Sequence, residues 1–464
     1  MHRTPVASRV RAAKLSLACV AVAGLIGTGC EMFGGSSESA RKPDDRQAQR
    51  DAQLASASVG HPREARPTAE NAPATKPSMR QTVRIGAADG QLGTVTAGPA
   101  KGKRAEQLQS MAMLSGPIVT GVTASRDGRV FVCYPRWGDP VNFTVAEIKG
   151  DQLIPFPDPA AHSFDPQNPS KYDPATHLVS VQSVVADAKD RLWLVDTGSI
   201  DMQPPVPGGP KLWGYDLRSG QRVSAIALGG NVIKPKTYLN DVRVDVSRGP
   251  QGTAYITDSG EGGIIVIDLA SGEAWRKLDG HPSVLPESNF VPNVEGEPAL
   301  RRPPGTREEK PIQVASDGIA LSPDGRTLYY SPLSGRTVYL VPTDVLNDRN
   351  ASDPTAGFDA VKKVASKPSG NDGLLCDDQG RIYTTDYEDN CIRRIDPQTG
   401  AVEVIAQDER LLWPDTLSLT SDGQLLITAS QLNRQPGYHH GRDLRQQPYV
   451  IWKLPIDGRA ITNR

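Results

Sequence analysis

One pattern recurs six times between residues 121 and 428: a short apolar run, a tight polar turn, and a second run of β-branched, aliphatic or aromatic residues. Its clearest copy occupies 316–335, where Ile319, Ala320 and Leu321 lead into Pro323-Asp324-Gly325 and then Thr327, Leu328, Tyr329 and Tyr330. Pro-Asp-Gly presets a reversal and the flanking residues suit a pleated, half-buried surface, so the unit predicts two antiparallel strands. The other copies begin at Gly121, Gln182, Asn240, Asn371 and Asp415. A second strand pair follows, most clearly at 211–220, 264–272 and 391–400, each ending in the turn dipeptide Ser-Gly or Thr-Gly. Four-stranded units that recur at a spacing of roughly 40 to 75 residues cannot bury their faces alone and must stack around a ring. The predicted fold is therefore all-β, a six-bladed β-propeller of four-stranded antiparallel blades. The 44 Gly and 39 Pro fit an all-β chain with many turns. Residues 280–311, Pro-rich and charged, read as an inserted loop. Two closures of the last blade fit the pattern: 450–454 with the C-terminus, or an N-terminal strand.

The chain divides into three stretches: 1–29, 30–104 and the propeller at 105–464. Arg3, Arg9, Arg11 and Lys14 precede an apolar run at 15–26, followed by small residues and Cys30. The run is too short to span a bilayer, and the whole resembles a bacterial lipoprotein signal peptide. That resemblance implies cleavage before Cys30, lipid on its sulfur, and an exported protein anchored to a bacterial membrane in the cell envelope. Gly27 stands where Leu is usual, which leaves ordinary secretion as the alternative. Residues 31–104 are mostly small, polar and charged, a composition that cannot offset the entropy of ordering, so they read as a tether. A short edge hairpin at 82–95 is the competing reading. Of the cysteines beyond Cys30, Cys133, Cys376 and Cys391 are an odd set. Cys376 and Cys391 fall on first and third strands of one blade, which do not touch, so buried free thiols are expected.

Lys plus Arg is 52 and Asp plus Glu is 53, a balance that offers no broad attraction for nucleic acid. The lipid supplies the only expected link to a membrane. Chemistry is therefore sought at the ring itself. If the first strand of each blade lines the central channel, the strand starts gather at one mouth with the loops that follow the second strands. Gln182, Asn240, Asp241, Asp317, Asn371, Asp372 and Asp415 form the first group, with Trp413 just before the last; Asp196, Asp258, Ser331 and Asp386 form the second. Carboxylates and amides at one rim can hold an ammonium group, a hard divalent cation such as Ca²⁺, or merely their own loops. Asp196, Asp258 and Asp386 precede turn residues and read as structural. The strand-start set, with Trp413 as its aromatic member, is the candidate ligand site.

Several motifs resemble the major royal jelly and yellow protein family: Pro135-Arg136-Trp137, Leu192-Trp193-Leu194-Val195-Asp196-Thr197-Gly198, the run 238–245 and Trp413-Pro414-Asp415. The matching stretches are 118–158, 179–198, 238–278 and 317–431. The resemblance implies a six-bladed propeller, a secreted or surface location and a central cavity that in some relatives holds biogenic amines; some relatives are linked to dopachrome conversion. A weaker, blade-level similarity joins 317–330 and 372–377 to the gluconolactonase and senescence marker protein family, which binds a divalent metal for lactone hydrolysis. It implies a metal at Asp317 and Asp372, although Gly121 and Val122 stand where that family has its Glu.

Other catalytic signatures are absent: there is no Gly-x-Ser-x-Gly elbow, Cys-x-x-Cys pair or His-Glu-x-x-His helix. His162, His177 and His281 read as loop or strand-edge histidines, expected to be solvated; only His439-His440 suggests a metal test. Two function classes follow. The first is an exported, lipid-anchored propeller binding a small cationic or aromatic ligand at one channel mouth. The second is an enzyme, either a metal-dependent lactonase or a dopachrome tautomerase. A scaffold for protein partners is the third reading, and it predicts a plugged channel.

Overall fold

A computed structural model of the chain describes residues 83–84, 102–302, 306, 308–349, 353 and 355–461. The signal segment, Cys30 and most of the tether lie outside these residues. The described residues form six antiparallel four-stranded blades in a ring, as the repeat requires. Their inner strands are Gly121–Ala124, Val181–Ala186, Leu239–Asp245, Ser316–Leu321, Leu374–Cys376 and Pro414–Leu419. Each inner strand touches the next, and the sixth touches the first, which closes the circle.

The last blade takes strands from both ends of the chain. Pro414–Leu419, Gln424–Ala429 and Tyr449–Pro455 are joined by Gln109–Leu114 as the fourth strand, so of the two closures the one by an N-terminal strand is used. Val83–Arg84 adds a fifth strand, pairing with Met113 and Leu114. The hairpin partner suggested for it, around Val95, lies outside the described residues.

The core is a set of apolar layers between neighbouring blades. Trp193, Val195 and Leu212 of the second blade pack against Val242, Ile256 and Ile265 of the third. Phe131, Cys133 and Val145 of the first meet Val184, Leu194 and Trp213 of the second. Every strand that alternates side chains between its two faces feeds two such layers, so the blades read as apolar on both sides. Cys133 and Cys391 are buried free thiols, and Cys376 is buried as well.

Two glycines set how closely the inner strands approach. A Cβ on Gly318 would lie 2.3 Å from the carbonyl oxygen of Asp372 in the next blade, and one on Gly373 would lie 2.5 Å from that of Asp415. Only glycine permits this contact, which brings successive strand starts together around the axis.

The described residues of the insert at 280–311 form two short strand pairs. Asn293–Val294 pairs with Glu297–Pro298, and Leu300–Arg301 with Lys310–Pro311. Its Phe290, Val294 and Ala299, with Ile312, pack against Leu333, Tyr387 and Trp413.

Candidate functional site

The strand-start residues occupy a recurrent β-bulge. In the third blade Leu239 pairs with Asp258 and Val242 with Ile256, leaving Asn240 and Asp241 opposite Thr257 alone. Asp317 and Gly318 stand in the same way opposite Ser331, and Asp415 and Thr416 opposite Thr428. Gln182 is the extra residue in the second blade, and in the fifth Asn371 and Asp372 precede the ladder altogether. A bulge removes backbone groups from the ladder and re-aims side chains, so these polar groups need partners outside their own strand pair.

The preceding blade supplies several of them. Thr257 Oγ1 donates to the Asp317 carbonyl at 2.6 Å, Thr385 Oγ1 to the Asp415 carbonyl at 2.6 Å, and Thr428 Oγ1 to the Thr120 carbonyl at 2.8 Å. The Cys133 thiol does the same for the Gln182 carbonyl at 3.0 Å. In return Thr385 and Thr428 accept from Gly373 N and Thr416 N within their own blades. Each hydroxyl thus fills a gap in one blade and pins the strand start of the next. The threonines follow one rule in the sequence, next to last on the second strand, but their role shows only once the ring is closed.

Around the axis the side chains form several hydrogen-bonded groups. Asn240 Nδ2 donates to Ser259 Oγ at 2.7 Å, and Ser259 Oγ donates to Asp317 Oδ2 at 3.0 Å. On the other side Trp137 Nε1 donates to Tyr238 Oη at 2.7 Å, and Tyr238 Oη donates to Gln182 Oε1 at 3.0 Å. Asn371 Nδ2 donates to Ser331 Oγ at 2.9 Å, while its buried Oδ1 has no hydrogen-bond partner.

Asp241, Asp317, Asp372 and Asp415 are all buried, with between 3% and 7% of their surface exposed. Burial pushes all four carboxyls above the usual carboxylate range. For Asp317 the negative charges of Asp372, Asp241 and Asp415 add to it. For Asp415 those of Asp372 and Asp241 do. Asp372 is pushed up to about 7 by burial, against the opposing hydrogen bond from Trp413 and with a further rise from Asp241. The charge of Asp372 in turn raises Asp317, so these two buried acids favour holding a proton over ionising together.

Trp413 is fully buried. Its ring stacks on Tyr387 with centroids 4.2 Å apart and planes at 9°, its Nε1 donates to Asp372 Oδ2 at 2.8 Å, and its backbone sits in the left-handed region at φ 50°. That conformation is strained for a bulky residue and is held by the stack and the hydrogen bond. Trp413 therefore orients an acid rather than forming a wall. The aromatic walls come from residues the sequence reading did not select. A cavity of about 480 Å³ opens at this mouth, lined by Trp137, Tyr238, Ser259, Gln313, Leu333 and Tyr438 among others. The signal available in the sequence was adjacency: Tyr238 precedes Asn240 by two residues and Ser259 follows Asp258. Gln313 follows the insert, whose placement no local pattern specifies.

The loop carboxylates are structural. Asp196 pairs with Lys211 at 2.7 Å, Asp258 with Arg276 at 2.8 Å, and Asp386 with Arg393. His162 departs from the expectation of a solvated ring. It is buried, receives the Thr144 N–H on Nδ1 at 3.2 Å, has Nε2 2.8 Å from the Phe156 carbonyl, and is pushed down to about 4 by burial, which keeps it neutral. His440 lies 2.9 Å from Glu309 and 2.7 Å from Arg302. Among the described residues no group of three or more His, Cys, Asp or Glu side chains is arranged to hold a metal ion. Asp317 and Asp372 are a pair; Asn371 turns its amide N–H toward Ser331, and Gly121 brings no ligand. A divalent cation needs a larger oxygen set than this, so the residues present do not complete such a site.

Comparison with known proteins agrees with the motifs. Protein yellow of Drosophila melanogaster is 26% identical over 247 residues, 48% of this chain and 41% of that protein. The Drosophila pseudoobscura pseudoobscura protein is 27% identical over 263 residues, 52% and 44%. The chain thus spans less than half the length of these relatives. Among solved structures, the calcium-binding protein regucalcin of Agrobacterium tumefaciens matches with a TM-score of 0.44 and 14% identity over 75% of this chain and 92% of that one. A gluconolactonase of Xanthomonas campestris matches with a TM-score of 0.43 and 15% identity over 75% and 88%. The sequence profile of the major royal jelly protein family matches residues 179–458, more than half of the chain. By that match the chain belongs to the major royal jelly protein family.

Proposed function

We propose that this protein is an exported, lipid-anchored propeller that binds a small organic cation with an aromatic or apolar body in the 480 Å³ cavity above the buried carboxyls. One observation carries the reading: Ser259 lines the cavity and also donates to Asp317, so a ligand in the cavity sits one hydroxyl away from the acid set. Trp137, Tyr238 and Tyr438 offer faces to an aromatic body or a cation. The four carboxyls lie behind the cavity lining, where Ser259 connects Asp317 to an ammonium head. The lipid anchor rests on the residues around Cys30 alone.

Calorimetry of the protein with aryl-alkyl amines, beside their neutral alcohol counterparts, is the direct test. Amines are expected to bind, alcohols at least tenfold more weakly, and binding should release protons as the raised carboxyls ionise next to the cation. Asp317→Asn and Ser259→Ala are expected to weaken the amine at least tenfold. Equal binding of amine and alcohol, or no effect of either substitution, would sink the proposal.

A further inference from the structure

The opposite mouth of the channel, where the Asp-Gly turns lie, holds a second cavity of about 150 Å³. All six inner strands contribute to it. Its walls include Val122, Val184, Val244, Leu321 and Leu417, and its one cation from an inner strand is Arg243. The space is comparable to a cavity of about 150 Å³ that admits a benzene-sized body.

Arg243 lies two residues after Asp241 on the same strand, hence on the same face and one step nearer the turn end. Its Nη1 donates to the carbonyl of Val242 at 2.7 Å and its Nη2 to the carbonyl of Leu374 at 2.6 Å. Those bonds fix the guanidinium across the channel but leave its charge unbalanced. Among the described residues no carboxylate makes an ion pair with it. Asp241 is the acid that steadies it from a distance, and burial pushes that carboxyl up, which makes it a poor counter-ion. Asp187 lines the same cavity, but its oxygens accept from Arg191 and from the Trp193 indole. A guanidinium fixed in place, half-buried among apolar walls and without a counter-ion favours the arrival of an anion.

We infer that this mouth is a separate binding site for a small carboxylate with a compact apolar body, its carboxylate on Arg243 and its body against the valine and leucine walls. The site shares no lining residue with the cavity at the other mouth and does not depend on what that cavity binds.

Benzoate is the probe, with benzyl alcohol as its uncharged counterpart, titrated calorimetrically into the full chain. Saturable benzoate binding is expected, at least tenfold tighter than the alcohol. Arg243→Met, confirmed folded by circular dichroism, should weaken benzoate at least tenfold. Ala186→Trp, which fills the cavity and keeps Arg243, should abolish benzoate binding; it carries the test if Arg243→Met does not fold. The inference is overturned by no saturable benzoate binding, by alcohol binding equal to benzoate, or by wild-type affinity in either folded variant.

Discussion

The indole nitrogen of Trp413 donates to Asp372 Oδ2 at 2.8 Å across 41 residues of sequence, joining the start of the sixth blade to that of the fifth. The bond fixes an acid that is buried and pushed up to about 7. It also accounts for a tryptophan held in the left-handed region.

Trp413→Phe keeps the stack on Tyr387 and deletes the donor. A buried carboxyl that loses a hydrogen bond costs about 1 to 3 kcal/mol, which denaturant unfolding will measure. The bond favours the ionised form, so its loss should push Asp372 further up, an effect readable by carbon-detected NMR titration of the carboxyl.

The pH dependence of stability has a definite sign at this acid. Its native value, about 7, lies above its ordinary 3.8, so the native state binds the proton more tightly than the unfolded chain. The stabilisation is full below the ordinary value and is lost as pH rises from about 4 through about 7. A rise of that size corresponds to on the order of 4 kcal/mol. Asp372→Asn mimics the neutral form, so its stability relative to wild type should grow between pH 4 and 7 and level off above. Parallel stability curves for the two proteins over that range would refute the assignment.

Gly318→Ala should be costly although the substitution adds one methyl group. The new Cβ would lie 2.3 Å from the Asp372 carbonyl oxygen, a backbone atom that cannot move without shifting the next blade. Forced contacts of this kind cost about 1 to 3 kcal/mol. Unfolding midpoints will show the loss, and amine affinity should fall with it because Asp372 moves.

Cys133, Cys376 and Cys391 should resist thiol reagents in the folded protein. All three are buried, and burial pushes the Cys133 thiol up to about 12, so almost no thiolate exists near neutral pH. Labelling should appear only as denaturant unfolds the ring. Rapid labelling in buffer would contradict this packing.

What could be read from the chain and what could not divide along a physical line. The alternation of apolar and polar residues and the Asp-Gly turns are local, so six copies sufficed to count the blades and to place Gln182, Asn240, Asp241, Asp317, Asn371, Asp372 and Asp415 at strand starts. The pairing of Asn240 with Ser259, or Trp413 with Asp372, depends on neighbours 19 and 41 residues away and has no local signature. Trp413 and Trp137 look alike in sequence, yet the first is sealed under Tyr387 and the second lines a cavity.

The sequence by itself determined the number of blades and which residues stand at the channel, because hairpins and β-alternation are set by neighbours along the chain. Only the tertiary structure decided that the four acids are buried and inclined to hold protons. It alone gave the last blade strands from both chain ends and left Arg243 facing a separate pocket. Burial and charge coupling arise where six strands distant in sequence converge on one axis, and no stretch of the chain carries that information alone.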